Sequence, residues 1–391
     1  MIIRRFLRWL RTASPRARAE ASGALARAYL SCDLSPDDRD AAENAMIVLL
    51  DDPSPLVRRA LAEALAASAD APRAVVHALA SDHRDIAAVV LARSPLLIDA
   101  ELVDSVATCD GALQATIATR TPLRRAVAAA IAEVGSAEAC LVAIENPCAD
   151  VDPTSITRIV ERFGHLGAIR EALFARPDLP LAARQSLARQ LSSALIDFVA
   201  GRNWLARDRA EEIGQEACEK ATVTIAALRP DHDVRPLVRH LRASGQLTAD
   251  LILRALLSGS MAMFEGALAE LAGLPLRRVQ ALVHQGGEAG LRALSDKAGL
   301  PASTHVAFRE ALTATRQVDR EPPPGREGVG RLKRRMVART LMGCERSDIG
   351  DLDPLMILLR RFAMEAARED ARMNCERLLA RDALADEVAA A

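Results

Sequence analysis

Asp231-His232-Asp233, with His240 downstream, is the most suggestive grouping of ligating side chains in this sequence. Two carboxylates around an imidazole could hold a divalent metal or pass a proton. Neighbouring residues project to different sides, however, and Pro230 and Pro236 bracket the segment, so it reads as a turn. His77 and His83 lie six positions apart, a poor spacing for one helical face, and His165 and His305 have no carboxylate or cysteine at i+3 or i+4. Ser347-Asp348-Ile349-Gly350-Asp351-Leu352-Asp353 is acidic around a glycine but lacks the alternating ligands and closing Glu of a calcium loop. His284-Gln285-Gly286-Gly287-Glu288-Ala289-Gly290 lacks the Lys-Ser/Thr of a phosphate loop and reads as an inter-helix turn. No catalytic residue, cofactor or metal is expected, and the chain reads as a non-enzyme.

Composition points to helices. Half the residues are apolar, yet only 3% are aromatic, the load being mostly Ala, Leu and Val. Small aliphatic side chains suit close helix packing, and no sustained period-2 segment is present, so the expected class is all-α. Basic and acidic residues number 51 and 52, for a net charge of −1, which argues against a dedicated nucleic-acid binder. The basic residues are almost all arginine, the lysines being Lys220, Lys297 and Lys333. The seven cysteines (Cys32, Cys109, Cys140, Cys148, Cys218, Cys344, Cys375) form no C-x-x-C pair and read as small buried hydrophobes in a reducing cytoplasm. No apolar run approaches the ~18 residues of a membrane span, and the Arg-rich start has no export-type apolar region.

The clearest organising feature is Asp52-Pro53-Ser54-Pro55-Leu56-Val57-Arg58-Arg59-Ala60-Leu61-Ala62-Glu63-Ala64-Leu65. A proline turn feeds an amphipathic helix whose apolar side needs a neighbouring unit to cover it. Echoes stand at Asp82-His83-Arg84-Asp85-Ile86, at Thr121-Pro122-Leu123-Arg124-Arg125 and at Leu179-Pro180-Leu181. The intervals suggest a unit of ~33 residues, in which Arg58-Arg59 and Arg124-Arg125 hold equivalent places. Ser14-Pro15 and Ser35-Pro36 read as helix starts, Asp99-Ala100-Glu101 as an N-cap, and Gly273-Leu274-Pro275 and Gly299-Leu300-Pro301 as a glycine cap followed by a proline restart. From Leu191 to Leu228 long, little-broken helices are expected, carrying Phe198 and Trp204.

The Asp-Pro-Ser-Pro run at 52–65, Leu91-Ala92-Arg93-Ser94-Pro95 with Asp99-Ala100-Glu101-Leu102-Val103, and Leu268-Ala269-Glu270-Leu271-Ala272-Gly273-Leu274-Pro275 resemble the bacterial domain-of-unknown-function 2336 family. The resemblance implies a HEAT-like helical protein and brings no catalytic residues. The expected architecture is therefore a HEAT-like α-solenoid of stacked helix pairs: N-terminal amphipathic or capping helices at 1–30, repeats over 31–228, a second repeat block at 229–318, a Pro/Gly linker at 319–330, and a small helical tail at 331–391.

Two basic segments are the candidate contact sites. The first holds Arg4, Arg5, Phe6, Arg8, Trp9 and Arg11, an amphipathic helix able to cap the first repeat, fill a partner's groove or lie on an anionic membrane. The second holds Arg331, Lys333, Arg334 and Arg335, with Arg339 beyond; it carries no aromatic for base stacking. The expected role is a cytoplasmic scaffold or adaptor that binds an unidentified protein partner through its helical surface. The alternative is a HEAT-like protein peripheral to the inner membrane, or associated with nucleic acid, using these basic helices.

Overall fold

The structure, a computed structural model, describes residues 8–10, 12–227, 234–320, 329–345 and 353–390. The chain is all-α, 78% helical, with no strand among the described residues. It divides into two compact units, Met1–Leu179 and Pro180–Ala391. The division falls inside the span 31–228 that the sequence presents as one repeat block.

Unit 1 contains α1 (Pro15–Ser31), α2 (Pro36–Leu50), α3 (Pro55–Leu65), α4 (Arg73–Ala80), α5 (Arg84–Arg93), α6 (Asp99–Thr108), α7 (Gly111–Ala118), α8 (Arg125–Val134), α9 (Ala137–Glu145), α10 (Pro153–Phe163) and α11 (Gly167–Ala175). Its helices start where side chains satisfy the free N–H groups of the first turn. Ser14 accepts from the Ala17 amide with Pro15 at the first turn, Ser35 from Asp38 with Pro36, and Asp152 from Ser155 with Pro153. Ahead of α3 the cap is indirect: the Asp52 carboxylate accepts from the Ser54 amide at 2.8 Å. Ile98, not Asp99, occupies the cap position of α6, and Glu101 reaches back to the Ile98 amide at 3.0 Å.

Alternate helices of unit 1 pack on one another. One row runs α1, α3, α5, α7, α9, α11; in the other α2 meets α4, and α6 meets α8 and then α10. Each helix buries a stripe, as α3 does with Val57, Leu61, Ala62 and Leu65. The unit is shorter than the sequence intervals suggest, because helices such as α7 have only 8 residues. From α3 onward the first-row helices begin at Pro55, Arg84, Gly111, Ala137 and Gly167, while the first interval, Pro15 to Pro55, is 40 residues. Arg58 on α3 and Arg124 beside α8 stand in different rows, so the distance between them is not a whole number of row steps.

Unit 2 contains α12 (Leu181–Gly201), α13 (Arg207–Ala227), α14 (Arg235–Ala243), α15 (Ala249–Leu257), α16 (Met261–Ala272), α17 (Leu276–Gln285), α18 (Gly287–Lys297), α19 (Ala302–Arg320), α20 (Val329–Glu345) and α21 (Asp353–Ala390). Helix α15 is its axis: every residue from Leu251 to Leu257 is buried, and α13, α16, α19 and α20 pack around it. Phe264 and Phe308 meet edge to face, 5.5 Å between centroids, in a core that also takes in Val337, Leu355, Leu359 and Phe362. The helical segment after residue 331 thus packs into this core. Helices α20 and α21 complete the core of unit 2, because their apolar faces have no other layer to cover them. Gly273 and Gly299 do take left-handed cap conformations, φ 63° and 69°, ahead of Pro275 and Pro301.

Candidate interaction surfaces

The first basic segment falls mostly outside the described residues: Arg4, Arg5, Phe6 and Arg11 are not described, while Arg8 and Trp9 are exposed. Asp231-His232-Asp233 and Ser347–Gly350 also lie outside, as does the side chain of Arg331. In the second segment the cations are engaged within the fold. Lys333 Nζ donates to Glu369 at 3.0 Å, and Arg334 Nη1 donates to the buried Asp370 at 3.1 Å. Burial pushes the Glu369 carboxyl up, but the Lys333 hydrogen bond and the charges of Lys333 and Lys220 together hold the group below its usual range.

Many arginines serve as helix caps. Arg120 donates to the carbonyls of Leu91 and Ser94 at the end of α5 (2.6 and 2.7 Å), Arg162 to Ala132 and Gly135 at the end of α8 (2.6 and 2.7 Å), and Arg316 to Val283 near the end of α17 (2.9 Å). A cation there satisfies orphan carbonyls and complements the negative end of the helix dipole. These arginines build the fold.

The region that departs from this economy is the α12–α13 hairpin. From residue 188 to 221 only Ala210 is buried. The two helices touch closely at Gly214, where an added Cβ would collide with Ile196 Cδ1, and Ser192 Oγ donates to the Gly214 carbonyl at 2.9 Å. The turn is a Schellman motif. The Asn203 amide donates to Ala200 O (3.0 Å) and the Trp204 amide to Val199 O (3.2 Å), with Asn203 left-handed at φ 55°. Trp204 is thereby folded back onto Phe198, edge to face at 5.8 Å and 89°, and the Arg202 guanidinium lies 4.5 Å from the Phe198 centroid and 5.6 Å from Trp204.

This tip is exposed: Trp204 by 63%, Leu195 by 54%, Phe198 by 48%, Ile213 by 42%. Leu195, Val199, Leu205 and Ile213 border a groove of about 170 Å³ along one side of the hairpin. The sequence expectation of little-broken helices carrying Trp204 is corrected here, since Trp204 sits in the turn. The available signal was Gly201-Arg202-Asn203, small and turn-favouring residues just before an aromatic.

On the other side of the hairpin a cleft of about 430 Å³ is lined by Arg189, Glu211, Gln215, Cys218, Glu219 and Gln246 among others. Beneath it, the buried Arg254 Nη1 donates to Glu365 at 2.6 Å, its Nε stands 3.5 Å from Glu219, and its guanidinium lies 4.2 Å from the Phe362 ring centroid. Burial raises the Glu219 and Asp250 carboxyls above their usual range despite Arg254 nearby.

Chemistry-bearing groups elsewhere are few. Buried Glu265 accepts from Gln280 Nε2 at 2.9 Å and pairs with His284 Nε2 at 2.7 Å, a partnership across 19 residues that i+3/i+4 spacing could not reveal. Burial pushes the Cys140 and Cys344 thiols up to about 11, as for inert packing groups. Cys32, Cys148 and Cys375 are exposed, against the expectation that the cysteines are buried. Among the described residues no group of three or more His, Cys, Asp or Glu could hold a metal ion, and no helix is long and apolar enough to cross a membrane.

Comparison with known proteins gives one match. Residues 86–347 fit the family model described as an uncharacterised protein conserved in bacteria (DUF2336), leaving α1–α4 and α21 outside the matched span. No curated protein and no solved structure matches the chain. With about two thirds of its length inside that family model, the chain belongs to the bacterial DUF2336 family.

Proposed function

We propose that this protein is a non-enzymatic scaffold that binds another protein, and that the α12–α13 hairpin is its docking element. The observation carrying the reading is the ordered, exposed aromatic tip formed by Phe198, Arg202 and Trp204. Exposed apolar patches mark interaction sites, and Trp and Arg dominate the residues that carry interface energy. The Schellman turn fixes the tip before contact, so little ordering entropy remains to be lost on binding. Both signs of charge occur along the hairpin, which favours a protein surface over an anionic membrane or nucleic acid. The row-stacked helices of unit 1 add further surface of the kind repeat proteins use for partners. The free cysteines, three of them exposed, support a reducing compartment, and we place the protein in the bacterial cytoplasm.

Affinity purification from native cells tests the reading. A protein retained by the wild-type chain and lost at least ~10-fold with Trp204→Ala is the expected result, matching a lost anchor of about 1.4 kcal/mol or more. Equal recovery with both chains contradicts it.

A further inference from the structure

We propose that the occupant of the hairpin is a second copy of this chain, two hairpins closing a four-helix bundle about a two-fold axis. The proposal rests on the reading of the hairpin as a protein-docking element and names its partner.

The first argument is a missing layer. Stable architectures bury the apolar stripe of one helical layer against another. Here two helices of 21 residues each run side by side; their bases pack on α14 and α15, but between 188 and 221 only Ala210 is buried. Two such hairpins packed face to face give each the layer it lacks, in the arrangement of a helix bundle.

The second argument is symmetry. Leu191, Leu195 and Phe198 stand at i, i+4 and i+7, on one face of α12. The row is centred near Leu195. An antiparallel crossing there places Leu195 against Leu195 and Leu191 of each copy against Phe198 of the other, the reciprocal contacts that a two-fold interface requires. The groove bordered by Leu205 and Ile213 lies alongside to receive the opposing row.

Charge and area agree with self-association. Between positions 189 and 212 there are four arginines and four acids, so the free hairpin carries no net charge and two copies meet without like-charge repulsion. A basic or acidic partner would have nothing complementary to meet. Leu191, Leu195, Phe198, Trp204, Leu205 and Ile213 together expose on the order of 600 Å². A symmetric pair that covered all of it would bury about 1,200 Å² before any polar rim is added, the lower bound for a stable specific interface.

Sedimentation velocity on the purified full-length chain tests this. The wild type is expected at twice the 41.9 kDa chain mass. Leu195→Glu is expected to weaken association at least ~30-fold with the far-UV spectrum unchanged, because the side chain supports no core. Leu191→Glu provides a second disruption on the same row. A wild-type chain that stays at 41.9 kDa up to about 100 µM overturns the proposal. So does a dimer that persists in both variants. If the chain is monomeric while Trp204→Ala abolishes capture of another protein, the second-copy inference fails and the docking reading stands; capture indifferent to Trp204→Ala sinks the docking reading itself.

Discussion

Arg58 grips Asp82 with two hydrogen bonds, Nε to Oδ2 at 2.6 Å and Nη2 to Oδ1 at 3.1 Å, while its Nη1 donates to the Asp52 carbonyl at 2.6 Å. One guanidinium thus ties the loop before its own helix to the loop before the next helix of the row. Arg18 makes the same pair of bonds to Asp52 at 2.8 and 2.9 Å, and Arg84 approaches Asp110 at 3.6 Å. Bidentate pairs in partly buried sites fix geometry as well as contributing energy. The resulting ladder sets the spacing of α1, α3, α5 and α7.

Asp82→Ala should therefore destabilise unit 1 by about 2 kcal/mol, since it strands a guanidinium that is only 18% exposed. Thermal unfolding should show a midpoint lower by roughly 4–8 °C. A neutral outcome would mean the ladder follows from packing and adds nothing to it.

The close approach of α12 and α13 depends on Gly214. Gly214→Val should push the helices apart, because its Cβ falls on Ile196 Cδ1. Overpacking of this kind costs about 1–3 kcal/mol, and Ile196→Ala should recover part of it by vacating the space. Denaturant unfolding of the four chains in the double-mutant cycle measures the coupling.

Asn203 holds the left-handed position of the hairpin turn. Asn203→Gly should leave stability and partner capture intact, whereas Asn203→Val, β-branched at positive φ, should cost at least ~1 kcal/mol and release Trp204 from Phe198. Tryptophan fluorescence reports the release directly.

Arg254 is buried with two acids in reach. Arg254→Met should cost about 3 kcal/mol by leaving Glu219 and Glu365 without their cation, and Arg254→Lys should recover only part of this because it loses the planar contact with Phe362. Urea unfolding of the three chains gives the comparison.

Two pairs of carboxyls, Asp52 with Asp82 and Glu219 with Asp250, should respond to acid in opposite senses. Burial pushes Asp52 and Asp82 up, but the hydrogen bonds and charges of Arg18 and Arg58, together with the Ser54 and His83 amides, hold them below the ordinary 3.8. Their folded forms bind fewer protons than the unfolded chain, so that stability is present above 3.8 and is lost as pH falls through the lowered values. Glu219 and Asp250 are raised by burial, above 4.5 and 3.8. Their contribution is full below those ordinary values and is lost as pH rises through the raised ones. Urea unfolding read by pulsed hydrogen exchange should show the Glu219 and Asp250 contribution growing in mild acid, against the lowered Glu369 of the same unit, and the Asp52 and Asp82 contribution fading only at more acidic pH. Glu219→Gln and Asp82→Asn should flatten the respective slopes.

The helical class, the Ser-Pro starts and the glycine caps were legible in the sequence, because caps are local and each residue acts within four positions of itself. The equivalence of Asp52 and Asp82 was legible for the same reason, and the ladder gives it a cause. What local spacing could not supply was which row a helix joins. Arg125 does reach forward to a carboxylate, Asp150, at 3.2 Å, as Arg58 does to Asp82, but in the other row. The Glu265–His284 pair and the closure of unit 2 by α20 and α21 depend on contacts between distant segments. The hairpin tip was hidden differently: Phe198 and Trp204 are ordinary core residues by type, and only their lack of a covering layer makes them a surface.

The central claim is that another protein chain sits on that surface. A photo-crosslinking amino acid placed at position 195 in the native cell, with the exposed position 16 as control, tests it most directly. The account expects a discrete adduct of higher mass from position 195, lost with Asn203→Val, and none from position 16. No adduct at 195, or the same adducts from both positions, would contradict it.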